Sequence, residues 1–316
     1  MVCRGALVDM MTGEAWSNHD VFVPNGAAWQ YYAKALPPKR WLKFLDSLKL
    51  DAQSIGLVQE WFGYILSGDI WAQKGLIITG PPRAGKGVIG HVLSELVGQL
   101  MVASPALHTL GREFGLEALL NKRLCLVSDA RLSNRIDVAA VIESLLRIVA
   151  GDSMSVSRKF RDALNLVLGA RVMLLSNEMP QLGDNSNAIN TRFLILELTE
   201  TFLDREDTGL KDELMEELPG IGLWAVEGYK RLRARGAFLE PDSSTRARQD
   251  WYEENNPLAQ FVEDRCKVDA GLRVEMTELF NAYQEWAESR GMPEMKSNAF
   301  SRRLTATRGD NKIVRD

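Results

Sequence analysis

The chain has 316 residues, of which 46% are apolar and 25% charged, and its net charge is −4 at neutral pH. That balance predicts a globular protein with one substantial core and smaller appended modules. It argues against a coat of basic surface for nonspecific nucleic-acid binding, although a local basic groove is compatible with it. The sequence has no run of about 18 apolar residues and no basic-then-apolar leader, so a cytoplasmic protein with no membrane partner is expected. Cys3, Cys125 and Cys266 lie far apart and His19, His91 and His108 cluster with none of them, which disfavours zinc and a disulfide framework.

Residues 1–70 carry Trp16, Trp29, Trp41 and Trp61, the pair Pro37-Pro38, and two apolar patterns at helical spacing. The first is Trp41, Leu42, Phe44, Leu45 and Leu48; the second is Ile55, Val58, Trp61, Phe62 and Ile65. They predict a small helical module in which the tryptophans are core. From residue 71 the pattern changes. LIIT (76–79), LCLVS (124–128), VMLLS (172–176) and FLILEL (193–198) are short apolar runs bounded by polar residues or glycine, as expected for buried strands of an α/β sheet.

The first of these runs opens LIITGPPRAGKGV, in which Gly80, Gly85 and Lys86 fill the positions of the phosphate-loop motif G-x-x-x-x-G-K. In such a loop, backbone N–H groups of Gly80, Pro81-Pro82-flanked Arg83, Ala84, Gly85, Lys86, Gly87 and Val88 close around phosphates. The helix that follows offers its N-terminus to the anion, and the lysine reaches the β- and γ-phosphates. An apolar helical pattern does follow (Ile89, Leu93, Leu96, Val97, Leu100), which is the context the motif requires. The hydroxyl that normally follows the lysine and ligates Mg²⁺ is missing, because positions 87 and 88 are glycine and valine. Nucleotide binding is therefore a firmer expectation than fast hydrolysis.

Three further residues stand in order after this loop. Run 124–128 ends at Ser128-Asp129, where a carboxylate can hold Mg²⁺ directly or through water; an aspartate there is also a common turn former. Run 172–176 ends at Asn177, suited to orient an attacking water, though equally a turn residue. Arg192 precedes run 193–198 and could face a neighbour's nucleotide, or simply be solvated. Between Asp129 and Asn177, Met154 and Val156 alternate with serines before Arg158, Lys159 and Arg161 arrive together, predicting a hairpin with a basic tip. That tip is either a solvated turn or a grip on single-stranded nucleic acid with Phe160 as a stacking surface. Residues 241–250, PDSSTRARQD, suggest a linker. Beyond Pro257, stripes at Leu258, Phe261 and Val262 and at Leu279, Phe280, Tyr283 and Trp286 predict helices, with Ser297 capping a last one that carries Phe300 and Leu304.

The segments GPPRAGKG, SDARL, ESLLRIVAGDSMSVSRKF, LLSNEMPQLGDNSNAINTRF and ELPGIGLWAVEGYKRL together resemble the helicase part of phage and plasmid primase-helicases, the poxvirus-type branch of superfamily 3. RGALVDMMTGE and the WLKFLDSL and VQEWFGYILSGD segments resemble the helical region ahead of the motor in that family. The resemblance implies an AAA+-like P-loop ATPase core at 71–250, an N-terminal helical collar within 1–70 and a winged-helix-like unit at 251–316. It implies a hexameric ring around one DNA strand that translocates with ATP and Mg²⁺, with a primase or polymerase as a further partner. By position, Gly80, Gly85 and Lys86 would bind the triphosphate, Asp129 the metal, and Asn177 would be the sensor. Arg192 would be a finger supplied in trans, Arg147 would also reach the neighbour's phosphates, and Arg158 with Lys159 would contact DNA. Arg302 and Arg303, with Arg308 and Lys312 beyond, would add a phosphate-contacting surface.

A finger supplied in trans needs a head-to-tail interface, which closes into a ring or runs on as a filament. Two departures from the family pattern point to slow hydrolysis: Val88 replaces the usual threonine, and Ala130 stands where many P-loop helicases have a second acid. Priming is not expected, because no zinc-ligand set or separate acidic motif precedes the loop. Two alternatives remain open on sequence grounds: a nucleotide-binding, DNA-binding ring with weak or no hydrolysis, and a nucleoside monophosphate kinase.

Overall fold

The computed structural model describes residues 1–3, 6–17, 29–32, 34–130, 137–180, 188–254, 257–269, 271–290 and 295–306. They divide into two compact units, one of residues 1–182 with 188–248 and one of 183–187 with 249–316.

The first unit begins with an antiparallel sheet, β1 (Val2–Cys3), β2 (Ala6–Val8) and β3 (Ala15–Ser17). This corrects the expectation of an all-helical N-terminal module. The β2–β3 connection is built on Asp9, whose carboxylate accepts from the N–H groups of Met11 (2.7 Å) and Thr12 (3.1 Å), while its backbone carbonyl accepts from Gly13 N–H. Those backbone donors hold the Asp9 carboxyl below its ordinary pKa. Trp16 on β3 is 52% exposed, against the expectation that all four tryptophans are core, whereas Trp29, Trp41 and Trp61 are buried.

Helix α1 (Lys39–Ser47) buries Trp41, Phe44 and Leu45. Helix α2 (Ala52–Ser67) starts where the Asp51 side chain accepts from Ser54 N–H at 2.6 Å, and nearly all of its last two turns are buried. The sheet that follows holds β4 (Gly75–Thr79), β5 (Val102–Ala103), β6 (Leu124–Val127), β9 (Arg171–Leu175) and β10 (Phe193–Glu197). Between β6 and β9 lie α4 (Val138–Ala150) and the hairpin β7 (Ser153–Arg158)–β8 (Arg161–Val167). The strand order is β10-β4-β9-β6-β5 and every pair is parallel. Each of the four apolar runs in the sequence is therefore a strand; the fifth strand, two residues long, is too short to leave a pattern. All residues of β4, β6 and β9 are buried, because a parallel sheet joined by crossovers is covered on both faces. Helix α3 (Lys86–Val97) covers one face through Ile89, Val92, Leu93 and Leu96.

Helix α5 (Ala188–Arg192) precedes β10, and α6 (Leu210–Met215), α7 (Leu218–Arg235) and α8 (Asp242–Glu254) follow it. Helices α2 and α7 pack at very short range. A Cβ on Gly63 would lie 2.3 Å from the Ala225 carbonyl, and one on Gly228 would lie 2.4 Å from the Gln59 carbonyl. The sequence 241–250 is not a linker. It forms most of α8, and Ser244, 2% exposed, accepts from Ile195 N–H at 3.1 Å. β10 is an edge strand, and Ser244, one of the polar residues that made this segment read as loop, satisfies one of its outward donors.

The second unit holds α9 (Pro257–Arg265), α10 (Met276–Ser289) and α11 (Ser297–Ala306) around Leu258, Phe261, Tyr283, Trp286, Phe300 and Leu304. Phe300 N–H donates to Lys296 O at 3.0 Å, so Lys296 rather than Ser297 is the residue ahead of the first helical turn. No strand occurs among the described residues of this unit, and no helix of the described residues is long and apolar enough to cross a membrane.

The α2–α7 contact carries a test. Gly63→Ala should lower stability by about 1–3 kcal/mol, because a backbone carbonyl cannot move aside as a side chain can. Gly169→Ala, whose added methyl meets its nearest neighbour at an ordinary 3.7 Å, should change the denaturation midpoint little. Equal effects would refute the close crossing.

Candidate nucleotide site

The loop between β4 and α3 has the backbone that phosphate cradling needs. Gly80 (φ 148°), Arg83 (φ 61°) and Gly85 (φ 91°) all have positive φ. At Gly80 an added Cβ would meet Leu198 O at 2.3 Å, and at Gly85 it would press on Leu48 and Phe44 at 3.0 and 3.1 Å. Arg83 is held in its left-handed conformation from outside the motif: Phe202 N–H donates to Arg83 O (3.0 Å), Thr201 Oγ1 donates to Pro82 O (2.9 Å), and Arg83 pairs with Glu206 at 3.2 Å. Lys86 Nζ donates to the carbonyls of Gly80 (2.6 Å) and Pro81 (2.7 Å), so its ammonium lies inside the loop. Partial burial lowers its pKa.

Two cavities open on either side of the α3 N-terminus, and Lys86 and Gly87 line both. The larger, about 740 Å³, is walled by the phosphate loop from Arg83 to Val88, by Arg40, Lys43, Phe44 and Ser47 of α1, by Asn177, and by the stretch from Phe202 to Glu213. Six basic side chains face it against three acidic ones, a balance suited to a polyanion. Two of the six are partly neutralised, since Arg40 pairs with Glu213 (3.4 Å) and Glu216 (3.0 Å), and Arg83 with Glu206. The apolar contribution comes from Phe44, Phe202 and Leu210, with the Arg205 guanidinium 5.9 Å from the Phe202 ring centre. The smaller cavity, about 350 Å³, is lined by His91, Ser94, Leu126 and Ser128 among others.

Of the residues singled out in the sequence, the structure brings Lys86 and Asn177 to one cavity. Asn177 lies two residues past β9, which runs between β4 and β6. Asp129 is exposed just past β6 and lines neither cavity; its neighbour Ser128 lines the smaller one. Ala130 is fully buried, with its N–H donating to Leu175 O at 3.2 Å. Arg192 is at the other edge of the sheet. It directly precedes β10, whose first residue pairs with Gly75, and its Nη1 donates to Gln73 Oε1 at 2.5 Å. A five-residue strand, roughly 17 Å at ~3.3 Å per residue, separates that edge from the phosphate loop. Arg147, at the end of α4, lies at the same far edge. It bonds Ser153 O at 2.9 Å beside Gly151, whose added Cβ would meet the Ile70 side chain ahead of β4.

Hairpin β7–β8 turns at Lys159-Phe160, with Arg158 opposite Arg161. Met154 and Val156 bury one face of β7, whereas β8 is exposed almost throughout. Phe160 has φ 60° and is 93% exposed, and Lys159 Nζ sits 5.3 Å from its ring centre. Glu117 accepts from Lys159 N–H at 3.2 Å and steadies the turn. Arg302 and Arg303 sit on α11; Arg308, Lys312 and His19 lie outside the described residues. Sequence reasoning missed the contribution of α1, Ser128 and the 201–213 stretch. Phe44 and Leu48 read as ordinary core, and nothing local marks Thr201 as a clasp on a loop 120 residues earlier.

These features define a P-loop-type α/β fold, a parallel sheet with a phosphate loop between β4 and α3. Residues 78–192 match a family of unknown function (DUF5906), and residues 253–310 match the poxvirus D5 protein-like family. Among solved structures, the chain is similar to an apo structure of the NrS-1 C-terminal region, with TM-score 0.57 and 16% identity. That match covers 82% of this chain and 60% of the other, so the chain spans less than two thirds of it. A second apo structure of that region, spanning 305–718, gives TM-score 0.54 and 17% identity over 93% of this chain and 76% of the other. The D5-like match over the C-terminal segment bears out the poxvirus-type resemblance drawn from the sequence motifs, and the solved structures share the fold.

A buried lysine loses its proton at lower pH than a solvated one, so the attraction of the loop for phosphate should weaken on the alkaline side, ahead of an ordinary lysine. Pyrophosphate affinity followed by calorimetry from neutral to alkaline pH should fall accordingly, and Lys86→Met should remove both the affinity and its pH dependence. A pH-independent affinity would show that Lys86 is not the phosphate contact.

Proposed function

We propose that the chain is the ATP-hydrolysing motor of a DNA helicase for replication of a phage, plasmid or integrated element, working on single-stranded DNA as a homo-oligomeric, hexamer-sized ring. The observation that carries this reading is the hairpin β7–β8. It presents an exposed aromatic ring beside a lysine and two arginines, and it is inserted in the chain directly ahead of β9, which leads to Asn177 just past its end. Movement of the hairpin and the state of the nucleotide are thereby linked through β9.

In this reading Lys86 and the loop N–H groups hold the triphosphate, Phe44 and Phe202 take the apolar part of the nucleotide, and Asn177 orients the attacking water. Arg192, with Arg147 near it, acts on the site of an adjacent copy, since both stand a strand's length from their own loop. Mg²⁺ is commonly held by one or two protein oxygens, phosphate and water, and Ser128 and Asp129 are the residues that would take part. Once bound, the ion would neutralise charge on the phosphate oxygens. The segments before residue 70 and after 250 would serve as collar and winged-helix-like unit, the latter adding Arg302 and Arg303 to the DNA contact. A primase or polymerase is the further partner this role implies.

Hydrolysis measured with and without single-stranded DNA, alongside solution mass, tests the proposal. DNA-stimulated turnover from a ring-sized assembly is expected. Phe160→Ala should weaken single-strand binding by roughly 5- to 100-fold, from ~1–3 kcal/mol per stacked base, and Lys159→Ala should blunt DNA stimulation while nucleotide still binds. An unchanged DNA response in both variants would take the hairpin out of the channel. Arg192→Ala should slow hydrolysis on the order of 10³-fold without loss of nucleotide affinity. Mixing it with Lys86→Ala subunits should recover some activity, and no recovery would rule out action between copies.

A second reading, a nucleotide-held DNA-binding ring with vestigial hydrolysis, is favoured specifically by Val88 and Ala130. Strand separation that Lys86→Ala abolishes excludes it. A nucleoside monophosphate kinase has no use for the exposed hairpin, and absence of phosphate transfer to nucleoside monophosphates disposes of it.

A further inference from the structure

We propose that the Ser128 hydroxyl stands at the divalent-cation position of the nucleotide site, in place of the hydroxyl that Gly87 and Val88 do not supply; this rests on the nucleotide-binding reading above. The first observation is at Gly87. An added Cβ there would have nothing within 4 Å, so the space that a serine or threonine side chain would fill beside the lysine is open. Gly87 lines the 350 Å³ cavity, and Ser128 lines it too, together with Lys86.

Strand geometry explains why Ser128, and not Asp129, is the residue that arrives. Side chains alternate along β6. Leu124 and Leu126 share the core cluster with Ile89 and Leu93 of α3, and a Cβ on Gly90 would lie 3.4 Å from Leu126. Cys125 and Val127 take the other face. The chain bends at Ser128 just past the strand, yet Ser128 stays on the Leu126 side, lining one cavity with Leu126, Lys86, Gly87 and Gly90 of α3. Asp129 lines neither cavity and would reach a cation there through water. In this arrangement the acid strand supplies the hydroxyl and the phosphate loop supplies none. The cation is then held by one protein hydroxyl, phosphate oxygens and water, a set within the ordinary habits of Mg²⁺.

The test is the cation dependence of binding, read apart from turnover. Affinity for a non-hydrolysable ATP analogue is measured by calorimetry in Mg²⁺ and in EDTA, and Mn²⁺ bound in the presence of the analogue is followed by its electron paramagnetic resonance signal. In the unaltered protein Mg²⁺ should tighten analogue binding. Ser128→Ala should lose most of that gain and weaken Mn²⁺ binding about tenfold or more, with affinity in EDTA unchanged. Adding Gly87→Ser to Ser128→Ala should restore the gain, because it returns a hydroxyl to the open space. A Ser128→Ala protein with the full Mg²⁺ gain overturns this proposal and leaves the nucleotide reading intact, as does failure of Gly87→Ser to restore what Ser128→Ala lost. Absence of analogue binding in the unaltered protein overturns both.

Discussion

A sheet whose five strands all run the same way has two chemically different edges, and the rest of the molecule depends on that polarity. Every strand of this five-stranded sheet leaves it at one edge, so Gly80, Ser128, Asn177 and, beyond β10, Thr201 are gathered there although about 120 residues separate the first from the last. Every strand enters at the other edge, where Lys74, Arg171 and Arg192 begin β4, β9 and β10 or precede them. Lys74 reaches across to Thr191 O at 2.6 Å, and buried Arg171 donates to Leu168 O and Val149 O. Two of these cations are thus tied to backbone carbonyls, and Arg192 to the Gln73 side chain. Phosphate-binding groups and arginine groups end up a strand's length apart in one chain, which is a consequence of parallel pairing and not of either group.

The phosphate loop itself is not self-supporting. Arg83 is a non-glycine residue at positive φ, a conformation that costs of order 1 kcal/mol or more and persists only where surroundings over-determine it. Phe202 N–H, Thr201 Oγ1 and Glu206 do so here. On the other side Phe44 and Leu48 close against Gly85, and α1 is in turn anchored through Glu217, whose carboxylate accepts from the N–H groups of Arg40 and Trp41. The segment before residue 70, the α6–α7 region and the loop form one mechanical assembly. A change of loop shape on binding a polyphosphate has a direct path into α1.

What could be read from the sequence was what periodicity encodes. Strands β4, β6, β9 and β10 are apolar throughout because both faces are covered, and the stripes at Leu258, Phe261, Tyr283, Trp286, Phe300 and Leu304 are the core of the second unit. The failures share one cause, which is that local polarity was taken as exposure. PDSSTRARQD is polar because it faces an edge strand that needs acceptors, and the Asp9 turn hid a three-stranded sheet behind a few apolar residues. At the site, motif spacing named Lys86 and Asn177. Ser128 and Phe44 join them only through alternation in β6 and the long-range packing of α1, neither of which leaves a mark in spacing.

The acidic total of −4 conceals how the charge is distributed. The larger cavity has an excess of basic side chains, and the hairpin tip places Arg158, Lys159 and Arg161 around Phe160 with Glu117 engaged by a backbone N–H instead of a basic head group. Screening over about 8–10 Å at physiological salt separates these two centres from the acids elsewhere on the surface. A single tip offers one aromatic ring and few charges, too little for firm hold on a flexible strand. Under the proposed ring, identical tips brought to one axis would multiply that hold through effective concentration, with no new contact in any one subunit. The same head-to-tail repetition would set the Arg192 edge of one copy against the phosphate loop of the next, so that a single geometric operation would complete the nucleotide site and the strand-binding site together.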